Sequence, residues 1–600
     1  MSASIPPTTT NPDRAAQQAE HYLVHDTAFR LGELPTEQPH PKTAGLSHTL
    51  IADTAAGIAA LQSVDDDMPE VLRQTLAGEP FAKLLQTMTE TLIAGRRVFF
   101  TGCGATGRLS ILLEAMWRRV WNHADHPEAK TIADQVRSVM AGGDFALIRS
   151  VEGFEDFTDF GRHQLREAGV TQGDLVVAIT EGGETSFVIG TAWEALDAGA
   201  ASFFVYNNPS DVLAGLVERS REVLEEPRIT KLDLATGPMA VAGSTRMQAT
   251  TIELMVVGTA LEHAIAAVQQ AKGTASADAL APVALDETAD RFAGLLSELA
   301  QPANRAAMAG LTEHEAEVYR ASGLVTYFAD RYLLDILTDT TERSPTFSLP
   351  PFREVGDDVS AKSWSFVKHP LLDTPGAWTD LLGRPPGGID WDGPTYTAMN
   401  APEAIREKPP VLNRQRILRF AIGNEPDPCR TEAPAALAVT LLVGHETQTH
   451  AAADSNFAQG VAQHTPAFGE HALLSIGSPP PAASPGDKQY IIEAELPDTP
   501  LDLWAHAAAK LVLNTISTAS MGLVGRLAGN WMVYVNTSNK KLIDRGVRLI
   551  ADQTGVPYDQ ACHELFITLN QPDADHLVGR RAASPVAVTI ARINDANDDA

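Results

Sequence analysis

"RRVFFTGCGATGRLSILLEAMW", Arg96 to Trp117, runs from a short apolar stretch through three glycines into an apolar-periodic segment, and that order decides the fold. A strand that ends in a glycine turn and passes directly into a helix opens a βα unit. Gly102, Gly104 and Gly107 match G-x-G-x-x-G. Such glycines let the backbone turn tightly and bring N–H donors to an anion, while the helix start adds its positive dipole end. The loop therefore predicts a phosphate site without naming the molecule that carries the phosphate. A dinucleotide site would want an acidic residue about 20 residues further on, at the end of a second strand. The candidate, Asp125, lies in "NHADHPEAK", which does not read as a strand.

Outward from this loop, "RVFF", "VRSVMAGG", "LVVAI", "ASFFVYN" and "ITKLDL" alternate with amphipathic segments between Arg96 and Gln270. That alternation implies a mostly parallel sheet with helices on both faces and a site at the C-terminal ends of its strands. "AKGTASADALAPVALDE", Ala271 to Glu287, is small, polar and weakly periodic, as a linker is. Beyond it "GLVTYFADRYLLDILTDTTERSPTF" can be laid over the opening stretch, with Thr326 opposite Phe100 and Glu342 opposite Met116. Further strand candidates follow at "RILRFAIG" and "ALAVTLLVG". The long helical pattern "LWAHAAAKLVLNTISTASMGLVGR" then resembles "GSTRMQATTIELMVVGTALEHA" of the first half. The chain reads as a diverged internal duplication.

With 600 residues the chain is too long for one core. Asp and Glu total 76 against 46 Lys and Arg, a net charge of -30 that disfavours nucleic acid and anionic membrane surfaces. Cys103, Cys429 and Cys562 are odd in number and far apart, so neither a disulfide framework nor a cysteine zinc site is supported. The N-terminal "MSASIPPTTTNPDR" lacks the charged start and apolar centre of an export signal. A cytoplasmic protein without membrane or nucleic-acid partners is expected.

"GCGATGRLSIL", "AGGD", "VEGFED", "TGPMAVAGSTRM" and "KLVLNTISTASM" resemble the sugar isomerase (SIS) domains of the N-acetylmuramic acid 6-phosphate etherases and the glucokinase regulatory protein, over roughly Pro80 to Thr568. The resemblance implies an α/β fold of two doubly wound parallel-sheet SIS domains in tandem, a pseudo-dimer with a small C-terminal helical segment. The expected boundaries are a polar segment at 1–45, SIS domains at 46–275 and 276–545, and the helical segment at 546–600. It further implies that the Gly loop (Gly104, Thr106, Gly107), Ser244 and Thr245 serve a sugar phosphate; Ser244 is placed to cap the helix near Arg246, and the hydroxyls of Thr180 and Thr185 are further donors available to the phosphate.

The etherases remove D-lactate from the sugar's C3 ether, which needs a base for the C2 proton and an acid for the departing oxygen. The family's catalytic glutamate in "VEGFED" falls on Glu155. Its second glutamate, in D-x-x-E-x-x-P-T-F, is Met116 in the first half and Glu342 in the second, within "DTTERSPTF". The family lysine before "LVLN" is Glu253 in the first half and Lys510 in the second, whereas the second half reads "FADRYL" where the first has its glycines. Complementary losses predict one composite site and one dead one. Glu155 and Glu342 would be catalytic there, with Glu342 the acid, and Lys510 would bind substrate.

One loop departs from the pattern: where etherases carry A-S-G-R-T, this chain reads "TEGGET", with Gly182 for serine and Glu184 for arginine. A carboxylate beside a phosphate dianion is unfavourable, so substrate identity stays open. The first reading is a lyase acting on N-acetylmuramic acid 6-phosphate or a related ether. The alternatives are a sugar-phosphate sensor that regulates a partner sugar kinase and, more weakly, a sugar-phosphate isomerase. No cofactor is implied. "HETQTH", His445 to His450, lacks the i, i+4 spacing of a helical zinc pair, so no metal site is expected there and the two histidines read as surface residues. "SPPPAASPGDK" reads as a Pro-rich surface connector.

Overall fold

A computed structural model describes residues 12–274, 280–481, 486–535, 537, 539–571 and 584–598; the side chains of Glu152 and Glu342 lie outside this description. The five strands expected in the first half form: β1 (Val98–Gly102), β2 (Val136–Met140), β3 (Leu175–Ile179), β4 (Ala201–Tyr206) and β5 (Ile229–Asp233). They make one parallel sheet in the order β2-β1-β3-β4-β5. Every residue of β1 and β3 is buried. That is why these strands are continuous apolar runs: helices cover both faces of a parallel sheet.

A second parallel sheet is built from β6 (Leu324–Phe328), β7 (Ser365–Lys368), β8 (Ala436–Val443), β9 (Glu470–Ile476) and β10 (Lys488–Ile492), in the order β10-β9-β8-β6-β7. Counted from its own first strand, this is the strand order of the first sheet. The register agrees as well, because Phe100 pairs with Ser138 and Val177, and Thr326 pairs with Phe366 and Ala438. The fold is therefore α/β, with two tandem units of one topology.

One strand assignment needs correction. "RILRFAIG" is not a strand: Asn413 caps the short helix Arg414–Ile417, its side chain accepting from the Arg416 amide. The following backbone wraps a buried cation, the carbonyls of Ala421, Gly423 and Glu425 each accepting from Lys368 Nζ. The edge strand is β7 instead, too short and too polar at Lys368 to stand out in the sequence. The "SPPPAASPGDK" connector joins β9 to β10, and its residues 482–485 lie outside the described residues, as do 275–279 of the linker.

By length and composition the helix Gln248–Lys272 could cross a membrane, but most of it is buried inside the fold. The first described helix packs with the C-terminal helices. Helix Pro12–His25 packs on Tyr558–Leu569, and Ala15, Ala19 and Tyr22 share a separate apolar cluster with Val547, Leu565 and Val586. The helix Lys540–Thr554 lies beneath this module and points its N-terminus at the cavity described next.

Candidate active site

At the C-terminal ends of the first sheet lies a cavity of about 100 Å³. The Gly loop forms one wall through Cys103, Gly104 and Ala105. Gly104 holds φ at +55°, the left-handed backbone that lets the chain turn from β1 into the helix Gly104–Asn122. The amides of Gly104 and Ala105 stand in the first helical turn, where they have no intrahelical acceptor. Thr185 stands at the N-cap position of the helix Ser186–Asp197 without a side-chain cap bond, Asn539 caps Lys540–Thr554, and both line the cavity. Helix N-termini converging on one space favour an anion.

The second unit completes the cavity. Pro345 and Thr346, from the helix Leu333–Phe347, line it. Arg108 crosses from the first unit to this helix, its Nε donating to Thr341 Oγ1 at 3.1 Å. Position 342 is the next residue; its side chain lies outside the described residues. The Arg246 guanidinium pairs with Asp339 and donates to Ser517 Oγ (3.1 Å) and Thr518 Oγ1 (2.8 Å). Lys510 Nζ and Asn514 Nδ2 both donate to the Arg246 carbonyl, at 2.6 and 3.0 Å. The "GSTR" turn of the first unit is thus held by side chains of the second.

Glu155 lines the cavity as well. Its Oε1 accepts from Asn539 Nδ2 at 2.8 Å, and its backbone carbonyl accepts from Phe187 N–H. The loop carrying it is clamped from the second unit, where Trp391 stacks on Phe154 with ring centroids 5.8 Å apart. Glu181 lines the cavity too.

Several residues expected at the phosphate take other roles. Thr106 is fully buried, its hydroxyl donating to the Cys103 carbonyl (2.9 Å) and accepting from the Cys103 amide (3.1 Å), so it shapes the loop without lining the cavity. Gly107 is absent from the wall because it packs on β2: a Cβ there would meet Met140 Cγ at 2.5 Å. Thr180 is buried and donates to Thr185 Oγ1 at 3.2 Å. Ser244 and Thr245 do line the cavity, but Ser244 caps nothing, since the helix begins only at Gln248 with Met247 before it. Lys510 supports the "GSTR" turn and does not line the cavity. Burial is the largest influence on its ammonium, followed by repulsion from Arg246, and together they lower its pKa to about 8. Glu253, at the equivalent place in the first unit, is wholly buried, and that desolvation together with Glu181 pushes its pKa well up.

The departure at "TEGGET" has a structural explanation that the local sequence does not carry. Glu184 is 2% exposed and absent from the cavity wall, and its Oε1 accepts from Lys541 Nζ at 2.5 Å. A Cβ at Gly182 would come within 1.9 Å of Glu184 Oε2, so the glycine and the glutamate belong together. Gly182→Ser is expected to destabilise the protein by about 1–3 kcal/mol by forcing Glu184 off Lys541. The losses from Gly182→Ser and Glu184→Ala should be less than additive in urea denaturation, and additive losses would sink the coupling.

Lys541 and Arg545 are cavity residues that sequence reasoning missed, along with Arg108 and Arg246. Arg545 is held bidentately by Glu37 of the N-terminal segment, at 3.0 and 2.7 Å. Charged residues at i, i+4 on an amphipathic helix read as a solvated face, and only the fold reveals the buried carboxylates that hold them.

A smaller cavity of about 30 Å³ sits where the duplication would put a second site. In the register that sets Thr326 opposite Phe100, its Arg331 and Leu334 stand at the positions of Ala105 and Arg108, and its Met116 at that of Glu342. In the register that sets Lys510 opposite Glu253, its Leu501 and Asp502 stand at Ser244 and Thr245. Arg331 and Asp502, both in its lining, form an ion pair with each other.

Of the two histidines of "HETQTH", His450 belongs to a group of side chains close enough to share a cation, and it is not a surface residue. It is half-buried and bonds Asp330 Oδ2 through Nε2 at 2.9 Å. Among the described residues, Asp330 has the neighbours to hold a cation either with Glu446 and His450 or with His369 and Asp380. Its other oxygen already meets His369 Nε2, whose Nδ1 accepts from the amides of Leu371 and Leu372. His369 therefore presents a protonated Nε2, which donates to Asp330 and offers no lone pair to a metal.

Residues 80–195 match the family described as the glucokinase regulatory protein N-terminal SIS domain. The N-acetylmuramic acid 6-phosphate etherase of Picosynechococcus sp. is 31% identical over 232 residues, which are 38% of this chain and 67% of that protein. That of Salinibacter ruber is 29% identical over 228 residues, 38% of this chain and 66% of that protein. The match thus spans about two thirds of these relatives' length. Among solved structures, the tagatose-6-phosphate ketose/aldose isomerase of Escherichia coli aligns with a TM-score of 0.41 at 9% identity, over 84% of this chain and 100% of that one.

Proposed function

This chain belongs to the family of the N-acetylmuramic acid 6-phosphate etherases, and from that premise we propose that its composite cavity binds a sugar phosphate and cleaves the D-lactyl ether of N-acetylmuramic acid 6-phosphate or a related amino-sugar phosphate. The observation that carries this reading is a single cavity in which the Gly loop, Glu155 and the "GSTR" turn of one unit meet the Pro345–Thr346 segment of the other, next to position 342. In the smaller, pseudo-equivalent space the charges of Arg331 and Asp502 are spent on each other, so one site per chain would do the work.

In the reaction one carboxylate removes the C2 proton, and the C–H electron pair forms the C2–C3 double bond. The C3–O bond breaks, and the departing oxygen takes a proton from the second carboxyl group to leave as D-lactate. Two carboxyl groups in different surroundings can divide acid and base roles in this way. Glu155 and Glu342 are assigned these roles, with Glu342 as the acid. The Gly-loop amides, Thr185, Ser244 and Thr245 would receive the phosphate. Incubation of the purified protein with N-acetylmuramic acid 6-phosphate should release D-lactate in wild type and none in Glu342→Gln. Release by Glu342→Gln at the wild-type rate would overturn the composite site.

The match of residues 80–195 favours a second reading, a sugar-phosphate sensor that regulates a sugar kinase. Thermal stabilisation by hexose phosphates without any lactate release would select it.

A further inference from the structure

The sugar of the proposed reaction carries two anions, a phosphate at C6 and the lactyl carboxylate on the C3 ether. Four cationic side chains line the cavity, Arg108, Arg246, Lys541 and Arg545, against the carboxylates Glu155 and Glu181. Carboxylates of the fold already pair with three of them, Arg246 with Asp339, Lys541 with Glu184 and Arg545 with Glu37, so each is held in place at the cavity wall. Two of the four arrive together from outside both sheets, one turn apart on the helix Lys540–Thr554.

Their surroundings hold them ready for a ligand. Glu37 takes Nε and Nη2 of Arg545, and Nη1 makes no hydrogen bond among the described residues. The guanidinium lies directly on Gly243, where a Cβ would come within 2.4 Å of its Nε. Lys541 Nζ spends one donor on Glu184 Oε1, and its next carboxylate, Glu37, is 3.7 Å away. Asn539, which begins the same helix, donates to Glu155 Oε1. The two cations thus follow Glu155's own hydrogen-bond partner by two and six residues on one helix. A carboxylate attached to the C3 ether has to lie close to the group that acts at C2 and C3, whereas the C6 phosphate is at the far end of the sugar.

We propose that Lys541 and Arg545 form a carboxylate subsite beside Glu155, which selects sugar phosphates carrying a second anion on the C3 substituent; this rests on the sugar-phosphate reading of the cavity. Glu37 and Glu184 are positioning residues for this pair. They also resolve the departure at "TEGGET": the loop's cation is supplied from the C-terminal helix, and Glu184 anchors it.

The test is equilibrium binding by calorimetry in a Glu155→Gln background, with N-acetylmuramic acid 6-phosphate, which has the carboxylate, and N-acetylglucosamine 6-phosphate, which lacks it. The first should bind more tightly. Lys541→Met should weaken it about 10- to 100-fold, the scale of one lost charge-assisted hydrogen bond, while changing the second less than about threefold. Lys541→Arg should restore the preference. Pairing Lys541→Met with Glu184→Gln removes the cation without leaving a buried carboxylate alone, and should show the same selectivity. Equal weakening of both ligands would assign the pair to the phosphate and overturn the subsite, as would no change in either. Wild-type protein that binds neither ligand would overturn the sugar-phosphate reading itself, whereas lactate release by the wild type, together with equal losses for both ligands on Lys541→Met, would overturn the subsite alone.

Discussion

Glu155→Gln is expected to lower D-lactate release about 10²–10⁴-fold while leaving the affinity for N-acetylglucosamine 6-phosphate within about threefold of wild type, the range over which a positioned acid or base contributes. The substitution keeps the side chain's shape. Its amide oxygen can still accept from Asn539 Nδ2, which meets the Glu155 carboxylate at 2.8 Å. Phe154 can still stack on Trp391, and the backbone carbonyl at 155 can still accept from Phe187 N–H. What disappears is the capacity to take up or release a proton. A loss confined to kcat identifies a group that acts in the transition state, and a loss confined to KM would identify a binding residue only. Wild-type kcat in the variant would remove Glu155 from the chemistry.

Glu37→Ala is expected to destabilise the protein by about 3–5 kcal/mol, the scale on which one partner's removal leaves buried charge uncompensated. Glu37 is 1% exposed and meets Arg545 at 2.7 Å, Arg548 at 3.1 Å and Lys541 at 3.7 Å. Burial alone would raise its pKa, but Arg545, Lys541 and Arg548 outweigh it and hold the carboxyl at about 2, against an ordinary 4.5. A folded-state pKa below the unfolded value means that the unfolded chain binds more protons between the two. The stabilisation is therefore complete above about pH 4.5 and is lost as the pH falls through about 2. Urea unfolding of wild type and variant at pH 7 and pH 3 checks the assignment, because the gap should narrow at the lower pH. A gap that stays constant would trace the effect to lost packing and not to charge.

Much of the first unit is legible in the sequence because its strands are buried on both faces and therefore continuously apolar, with the Gly loop marking the turn out of β1. The duplication is legible for a related reason: Phe100 and Thr326 occupy the same place in two sheets of one strand order, and a fixed offset carries Glu342 onto Met116. The second unit is harder to read where its strands are short or lie at an edge. β7 has only 4 residues and ends on Lys368, and β10 exposes Lys488 and Gln489, so neither shows the apolar run that betrayed β1. Thr106, Gly107 and Thr180 stand in the right motif, but their hydroxyls and close contacts serve the loop itself, a distinction of fractions of an ångström that no spacing pattern contains.

The family resemblance brings Glu155 and Glu342 forward as candidates, while the sequence by itself determined the α/β class, the two repeated units and the glycine loop after β1. All of these are properties of contiguous residues, set by local periodicity, by glycine's conformational range and by the comparison of one half with the other. Only the tertiary structure decided which charges face the cavity and which hold one another. Arg545 and Glu37 are 508 residues apart, and Lys541 and Glu184 are 357 apart. Before folding each is an ordinary charged residue on a polar segment, since in water such charges are worth little to one another. Burial removes the competing solvent, and the same side chains then become fixed partners that aim two cations into the cavity.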